Sequence, residues 1–146
     1  MSTIALQHNI GAFIALAISV APQAATANVN GAAIDRFAHN LPLSCVLHSA
    51  VGAVTGSPTA ISAAAKLQHS SDGTTWADYI APGNATVSTT AALTAANGEN
   101  VVAIDLSSAA RYIRAVEVIT LTGGSSPTIQ VMADIVLGGE QLRPAV

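Results

Sequence analysis

The chain has 146 residues, of which 51% are hydrophobic and only 9% are charged, and its formal net charge is −3 at pH 7. This length suits one domain with a substantial core, whereas charged residues normally make up about a quarter of a globular chain. The five basic residues are scattered and form no stripe that could neutralise phosphates, so we expect no direct contact with nucleic acid. A surface this poor in charge usually marks contacts with other subunits or proteins.

The first predicted element is the apolar segment IGAFIALAISVA at residues 10–21. It resembles the core of a signal peptide, an alternative that stays open, but the nine residues before it contain no Lys or Arg. It is also too short to cross a bilayer as a helix, so we expect no membrane association. As a strand it would be apolar on both faces, which favours cover on both sides. We therefore predict that residues 1–22 form an arm or strand that contacts neighbouring subunits through Ile10, Phe13, Ile14 and Leu16.

Residues 23–146 have the pattern of one all-β domain. Pro and Gly recur at short intervals and separate runs rich in Val, Ile, Thr and Ala, which is typical of a sandwich or barrel. Apolar residues alternate most clearly at 61–67 and 129–137, which places each apolar set on one face of a sheet. The segments 101–106 and 111–121 are apolar on both faces. We expect these two to be central strands, or strands covered by a neighbouring subunit.

The stretch LQHSSDGTTWADY at residues 67–79 contains the only Trp and predicts a hairpin. Asp72 and Gly73 provide the backbone geometry that a tight turn requires. Trp76 then begins the return strand, where its ring can close one end of a core that is poor in aromatic residues. We expect Trp76 to be mostly buried, and we predict Trp76 and Tyr112 as structural anchors.

The His and Cys residues show no metal-binding or nucleophilic pattern. His39 and His48 are nine residues apart and the other His residues are remote, so no close ligand pair such as HxxxH or CxxC occurs. Cys45 lies in an apolar run, where a small buried side chain is the simplest interpretation. There is no G-x-S-x-G motif and no Gly-rich loop that opens a helix. We expect no metal, no cofactor and no enzymatic activity.

Two acidic residues in the predicted strands could in principle form the carboxylate pair of a glycoside hydrolase. Asp105 and Glu117 are each flanked by apolar residues, and Arg111 and Arg114 lie near both in the sequence. Because these cations are close enough to neutralise the carboxylates, we predict structural ion pairs at these positions.

Three segments in a fixed order resemble small virion proteins of tailed bacteriophages: KLQHSSDGTTWADY, VVAIDLSSAARYIRAVEVI and IQVMADIVLGGEQLRP. The upstream stretch NVNGAAIDRFAHNLPLSCVLHSAVGAVTG is similar too, so the resemblance covers roughly residues 28–144. It implies a jelly-roll-like β-sandwich that decorates the outer surface of a capsid as a cement protein. Such a protein is made in the host bacterial cytoplasm, joins the virion commonly as a homotrimer, and stabilises the shell by bridging neighbouring major capsid protein subunits.

No functional residue is transferable from this resemblance, because such proteins act through surfaces. One alternative is another virion component, such as a tail, neck or minor shell protein. A second is a carbohydrate-binding sandwich in which Trp76 and Tyr79 form a stacking platform.

Overall fold

A computed structural model describes residues 14–140 as two antiparallel β-sheets that pack face to face. The only helix in this range is the short 3-10 helix Arg36–His39, and no helix here is long and apolar enough to cross a membrane. The strands in chain order are β1 Ile14–Ala25, β2 Val29–Asn30, β3 Ile34–Asp35, β4 Pro42–Thr55, β5 Ala60–Ser70, β6 Ala77–Asp78, β7 Gly98–Asp105, β8 Tyr112–Thr122 and β9 Thr128–Glu140.

The strand order is that of a jelly roll. Sheet A has the order β1-β9-β4-β7, and sheet B has the order β2-β8-β5-β6, with β3 also paired to β8. If β2 and β3 are counted as one interrupted strand, each sheet has four positions, and every connection except the β5–β6 hairpin crosses between the sheets. This arrangement of two interlocked Greek keys confirms the predicted jelly-roll-like sandwich.

The core lies between the inner faces of the two sheets, and the period of two in the sequence determines which side chains reach it. On β5 the residues Ala63, Ala65 and Leu67 are buried, and Cys45 on β4 is buried as predicted. On β9 the whole predicted set is buried, namely Ile129, Val131, Ala133, Ile135 and Leu137.

Of the two segments that are apolar on both faces, only one is a central strand. β8 lies inside sheet B between β5 and the β2/β3 pair, as predicted. β7, by contrast, is an edge strand of sheet A, and Val101 on its outer side is 63% exposed. The expectation of a central position was therefore wrong for residues 101–106. Val101 and Ala103 on the second face of β7 are exposed, and residues 14–140 do not cover them.

The described part of the N-terminal segment is an edge strand of the sandwich. β1 pairs with β9 from Ile14 opposite Gly138 to Ala25 opposite Ile129, and Val20 is buried in the core. The predicted boundary between residues 22 and 23 falls inside this strand. Cover on both sides is not seen, because the outward side chains Ile14 and Leu16 are 43% and 62% exposed. The other two predicted contacts, Ile10 and Phe13, lie outside the described residues.

The 67–79 segment is the predicted hairpin, but its buried aromatic residue is not Trp76. The Asp72 carboxylate accepts hydrogen bonds from the backbone N–H groups of Thr75 and Thr74, at 2.7 and 2.8 Å, which close the turn and hold the pKa of Asp72 well below its usual value. Tyr79 is 1% exposed, and its hydroxyl donates to the carbonyl of Asp105 at 2.7 Å.

Trp76 precedes β6 and is only half-buried, with the Arg114 guanidinium 4.3 Å from its ring centre on the outer side of sheet B. Trp76 is thus partly covered at the outer side of the sheet, whereas the residue of this segment that reaches the core is Tyr79. Tyr112, the other predicted anchor, is also half-buried at the start of β8. The anchoring roles of Trp76 and Tyr112 stay predictions.

One end of the sandwich is closed by a buried cation. Arg36 is 4% exposed, and its guanidinium donates hydrogen bonds only to backbone carbonyls. The acceptors are the carbonyls of Pro42, Leu106, Ala109 and Ala110. The planar fork of an arginine suits this role, since it can satisfy several carbonyl groups at once. Arg36 thus fixes the β7–β8 connection against the start of β4.

Candidate functional site

The outer face of sheet A is the candidate site, and strand pairing brings its residues together from four distant parts of the sequence. One row across the sheet consists of Leu16, Val136, Val46 and Ala103 on β1, β9, β4 and β7. The row on one side contains Ile14, Gly138, Ser44 and Asp105, and the row on the other contains Ile18, Asp134, His48 and Val101.

This face carries most of the large apolar side chains that residues 14–140 leave exposed. Seven such side chains occur, and only Phe37 and Ile80 lie elsewhere. The five on the outer face of sheet A are Ile14, Leu16, Ile18, Val46 and Val101. Because Val136 on β9 lies between Leu16 and Val46 in one row, these side chains form a patch rather than scattered single residues. Contiguous exposed apolar surface of this kind marks an interaction site.

A shallow groove crosses one end of the face. Its lining includes the small residues Ser44, Ala103 and Gly138 together with Val46 and Val136. The groove is open to solvent along its length and does not enclose a cavity. Such an open, mostly apolar trough suits the side chains of another macromolecule better than a small ligand, which is usually enclosed.

A polar cluster lies beside the apolar patch. The Nδ1 atom of His48 is 2.7 Å from the Asp134 carboxylate, and its Nε2 atom is 3.2 Å from the Glu99 carboxylate. Partial burial lowers the pKa of His48, but the hydrogen bonds to Asp134 and Glu99 outweigh it and leave the pKa above its ordinary value. Because both ring nitrogens are already in hydrogen bonds, His48 is poorly placed to take a proton from a substrate.

The described residues contain no group of three His, Cys, Asp or Glu side chains placed to hold a metal ion. The thiol of Cys45 is also unsuited to nucleophilic chemistry, because burial raises its pKa to about 12.

The predicted ion pairs of Asp105 and Glu117 are wrong. Arg111 pairs instead with Asp35 at 2.7 Å, and Arg114 donates two hydrogen bonds to the side-chain oxygen of Gln68 at 2.9 and 2.7 Å. Asp105 lies at the edge of the outer face of sheet A, where it accepts a hydrogen bond from the backbone N–H of Ser107 that lowers its pKa.

Glu117 points into the core, away from any surface. It is fully buried, and Ser49 on the opposite sheet donates a hydrogen bond of 2.7 Å to its Oε1 atom. Its Oε2 atom has no hydrogen-bond partner among residues 14–140. Burial raises the pKa of Glu117 to about 7, although Ser49 and His48 act in the opposite direction. An acid in this position can affect stability, but it has no access to a ligand.

The outer face of sheet B differs, because its polar side chains bind one another. Lys66 forms an ion pair with Asp78 at 2.8 Å, Gln68 donates to the same carboxylate at 2.8 Å, and Arg114 joins Gln68 to the Trp76 ring. Trp76 therefore has one ring face covered, and Tyr79 is buried. The predicted carbohydrate platform of Trp76 and Tyr79 is not present.

Sequence reasoning found Ile14 and Leu16 but missed Ile18, Val46 and Val101 as members of the same face. Val46 and Val101 lie in apolar runs that were interpreted as strands. Nothing local to either run shows that they belong to one surface, because only the pairing of β4 with β7 and β9 brings them there.

No protein-family model matches the chain, and no curated protein matches it. Among solved structures, the chain is similar to the crystal structure of SPBc2 prophage-derived protein YomS, with 15% sequence identity and a TM-score of 0.44. The match covers 86% of this chain and 95% of that one. At this TM-score the likeness carries no argument about function.

Proposed function

We propose that the protein is a structural virion protein that decorates the outer surface of a bacteriophage capsid and stabilises it by bridging neighbouring major capsid protein subunits. The observation that carries this proposal is the exposed apolar outer face of sheet A on a frame that is otherwise closed. The order of the sequence segments that resemble small virion proteins supports the same function.

The low charge of the chain suits close packing against a shell. Moving a charged group out of water costs several kcal/mol unless it finds a partner, and few such groups lie on the candidate face. Apolar burial contributes about 25 cal/mol per Å², so a contact of ~1,000 Å² per copy is a large gross term before the costs of association. Many copies on one shell, and several contacts in each trimer, add avidity.

Gene deletion in the phage or prophage that encodes the chain tests the proposal. We expect the protein in purified virions by mass spectrometry, and in the head rather than the tail fraction after disruption. Particles without it should release DNA at a lower temperature than complete particles, and added protein should restore the difference. Recovery in tail or neck fractions would favour the other virion component, and absence from particles would refute a virion role.

Two parts of the proposal have separate tests. The homotrimer predicts a mass three times that of the chain in light scattering coupled to size-exclusion chromatography. The absence of enzymatic activity and of cofactors also stays a prediction, and a metal found at stoichiometric amounts in the purified protein would contradict it.

A further inference from the structure

Charges are segregated between the two outer faces. Every Lys and Arg between residues 14 and 140 is on sheet B or its loops, or is buried: Lys66 pairs with Asp78, Arg111 with Asp35, Arg114 contacts Gln68, and Arg36 is internal. Among the side chains that the structure describes, the outer face of sheet A has three carboxylates, at Glu99, Asp105 and Asp134, and no Lys or Arg faces them. The His48 ring contacts two of them, Asp134 and Glu99.

Two of the carboxylates flank apolar residues at one edge of the face. Glu99 and Asp105 are near opposite ends of β7, six residues apart, which corresponds to about 20 Å at the rise of a strand. Val101 and Ala103 lie between them. Asp134 lies within the face, between Ile18 and His48. The edge of the face at β7 therefore presents apolar residues with an acidic group on each side.

This pattern argues against a second copy of the chain as the occupant. Two such faces stacked on each other would remove carboxylates from water and place them near other carboxylates, which disfavours association. An uncharged partner would also remove these carboxylates from water while adding no cation, and the one His48 ring would be shared between Asp134 and Glu99. Lys or Arg groups at the margin of the contact would compensate them, and such complementary charge also speeds association.

We infer that the outer face of sheet A docks on a part of the capsid shell where apolar side chains are flanked by Lys or Arg groups about 20 Å apart. The inference deepens the proposed function and rests on it for the identity of the partner. It adds the surface used, the chemistry of the surface it fits, and the exclusion of this face from contacts between copies of the chain.

The experiment uses capsids from the phage with this gene deleted, mixed with purified full-length protein and sedimented. Glu99→Gln removes one acidic group and keeps an oxygen that can accept from His48, and Glu99→Lys reverses the charge. Thr120→Lys is the matched control, because Thr120 is exposed on the outer face of sheet B. We expect Glu99→Gln to weaken binding several-fold, Glu99→Lys to weaken it by roughly tenfold or more, and Thr120→Lys to bind like the wild type.

A second pair of variants, one on the docking face and one elsewhere, tests the apolar residues. Leu16→Thr changes a side chain of the patch, and Ile80→Thr changes one that is 48% exposed elsewhere. Of this pair, only Leu16→Thr should reduce binding, and circular dichroism should show that all five variants are folded. Higher ionic strength should weaken wild-type binding, because exposed charge pairs are screened beyond about 8 Å at physiological salt.

The outcomes separate the two proposals. If the wild type binds capsids and the Glu99 and Leu16 variants bind equally well, the docking face is wrong and the proposed function survives. If these variants change the mass of the free oligomer, the occupant is a second copy and the inference is overturned. If the wild type binds no capsids and is absent from virions, both proposals fail.

Discussion

The two outer faces of the sandwich differ in how their side chains are covered. On sheet B, an ion pair and hydrogen bonds connect the side chains of Lys66, Asp78, Gln68 and Arg114. The Arg114 guanidinium also covers one face of the Trp76 ring. On sheet A, Leu16 and Val101 are more than half exposed. The polar side chains of the first face bind one another, whereas the second face has apolar groups that residues 14–140 leave uncovered.

This difference between the faces predicts which substitutions should change the stability of the isolated protein. Side chains that contact only each other or the core contribute to the free energy of unfolding of the chain alone. Side chains on the outer face of sheet A contribute mainly after a partner has docked. Stability measurements and binding measurements should therefore respond to different residues.

The largest expected effect comes from removing residues 1–22, which takes away most of β1. The truncated chain should fail to fold, because β9 loses one of its two neighbours in sheet A and the site of the buried Val20 becomes a gap. Circular dichroism with thermal melting measures this. A truncated chain that still melts cooperatively would show that the segment is a separable arm, as the predicted boundary at residue 22 requires.

Between the two faces, Glu117 should make stability depend on pH. Its pKa of about 7 in the folded protein lies above the ordinary value of 4.5, so the folded state binds the extra proton between these values. Stability should therefore fall as pH rises from about 4.5 to 7 and then level off, with a total contribution of roughly 3 kcal/mol at most.

Glu117→Gln cannot ionise and should lose this part of the pH dependence. Gln can still accept from Ser49, but its amide N–H groups need new partners, so the variant can be less stable than the wild type at pH 5. The measurement is the difference in melting temperature between the two proteins at pH 5 and pH 8. Parallel pH profiles for both proteins would contradict the assignment.

On sheet B, Trp76→Ala should cost about 1–2 kcal/mol, less than the 3–5 kcal/mol typical of a large core residue. The ring is half-buried and its main polar contact is a cation–π interaction with Arg114, which contributes about 0.5–1 kcal/mol at an exposed site. Urea denaturation of Trp76→Ala, Arg114→Ala and the double variant gives the coupling energy. A loss of 3 kcal/mol or more for Trp76→Ala would show that it is a core anchor after all.

The smallest effect is expected on the outer face of sheet A. Leu16→Thr and Val101→Thr keep residues that favour strands and should change the unfolding free energy by no more than about 0.5 kcal/mol. The same urea titration checks this. A loss comparable to that of Trp76→Ala would mean that this face is covered within the isolated protein, and the contrast between the faces would disappear.

Much of the sandwich could be predicted from the sequence, because the alternation in β5 and β9 directly encodes which side chains face the core. The edge position of β7 could not be predicted. A segment that is apolar on both faces has the same sequence pattern whether its own sandwich or a separate protein covers it. The ion pairs failed for a geometric reason. Arg114 and Glu117 are three residues apart on one strand, so they point to opposite sides of the sheet.

The candidate site was predictable only in part. Ile14 and Leu16 were predicted as contacts because their segment is apolar on both faces, which favours cover on both sides. Asp134 and Glu99 could not be assigned to the same face, since the contacts that unite them with His48 join residues far apart in the chain. Such juxtapositions follow from the strand order and have no local signal.

The position of β9 between β1 and β4 has a consequence for how the chain is made. During synthesis β1 leaves the ribosome before β9, its partner strand, which begins only at Thr128. Residues Ile14–Ile18 therefore have no strand to pair with while the intervening chain is translated. Sheet B needs no residue beyond Thr122 and can assemble first. Such distant pairing slows folding and leaves apolar strands open to wrong partners. We therefore expect nascent chains that stop before β9 to depend on chaperones, and release of the completed β9 to convert them to the closed sandwich.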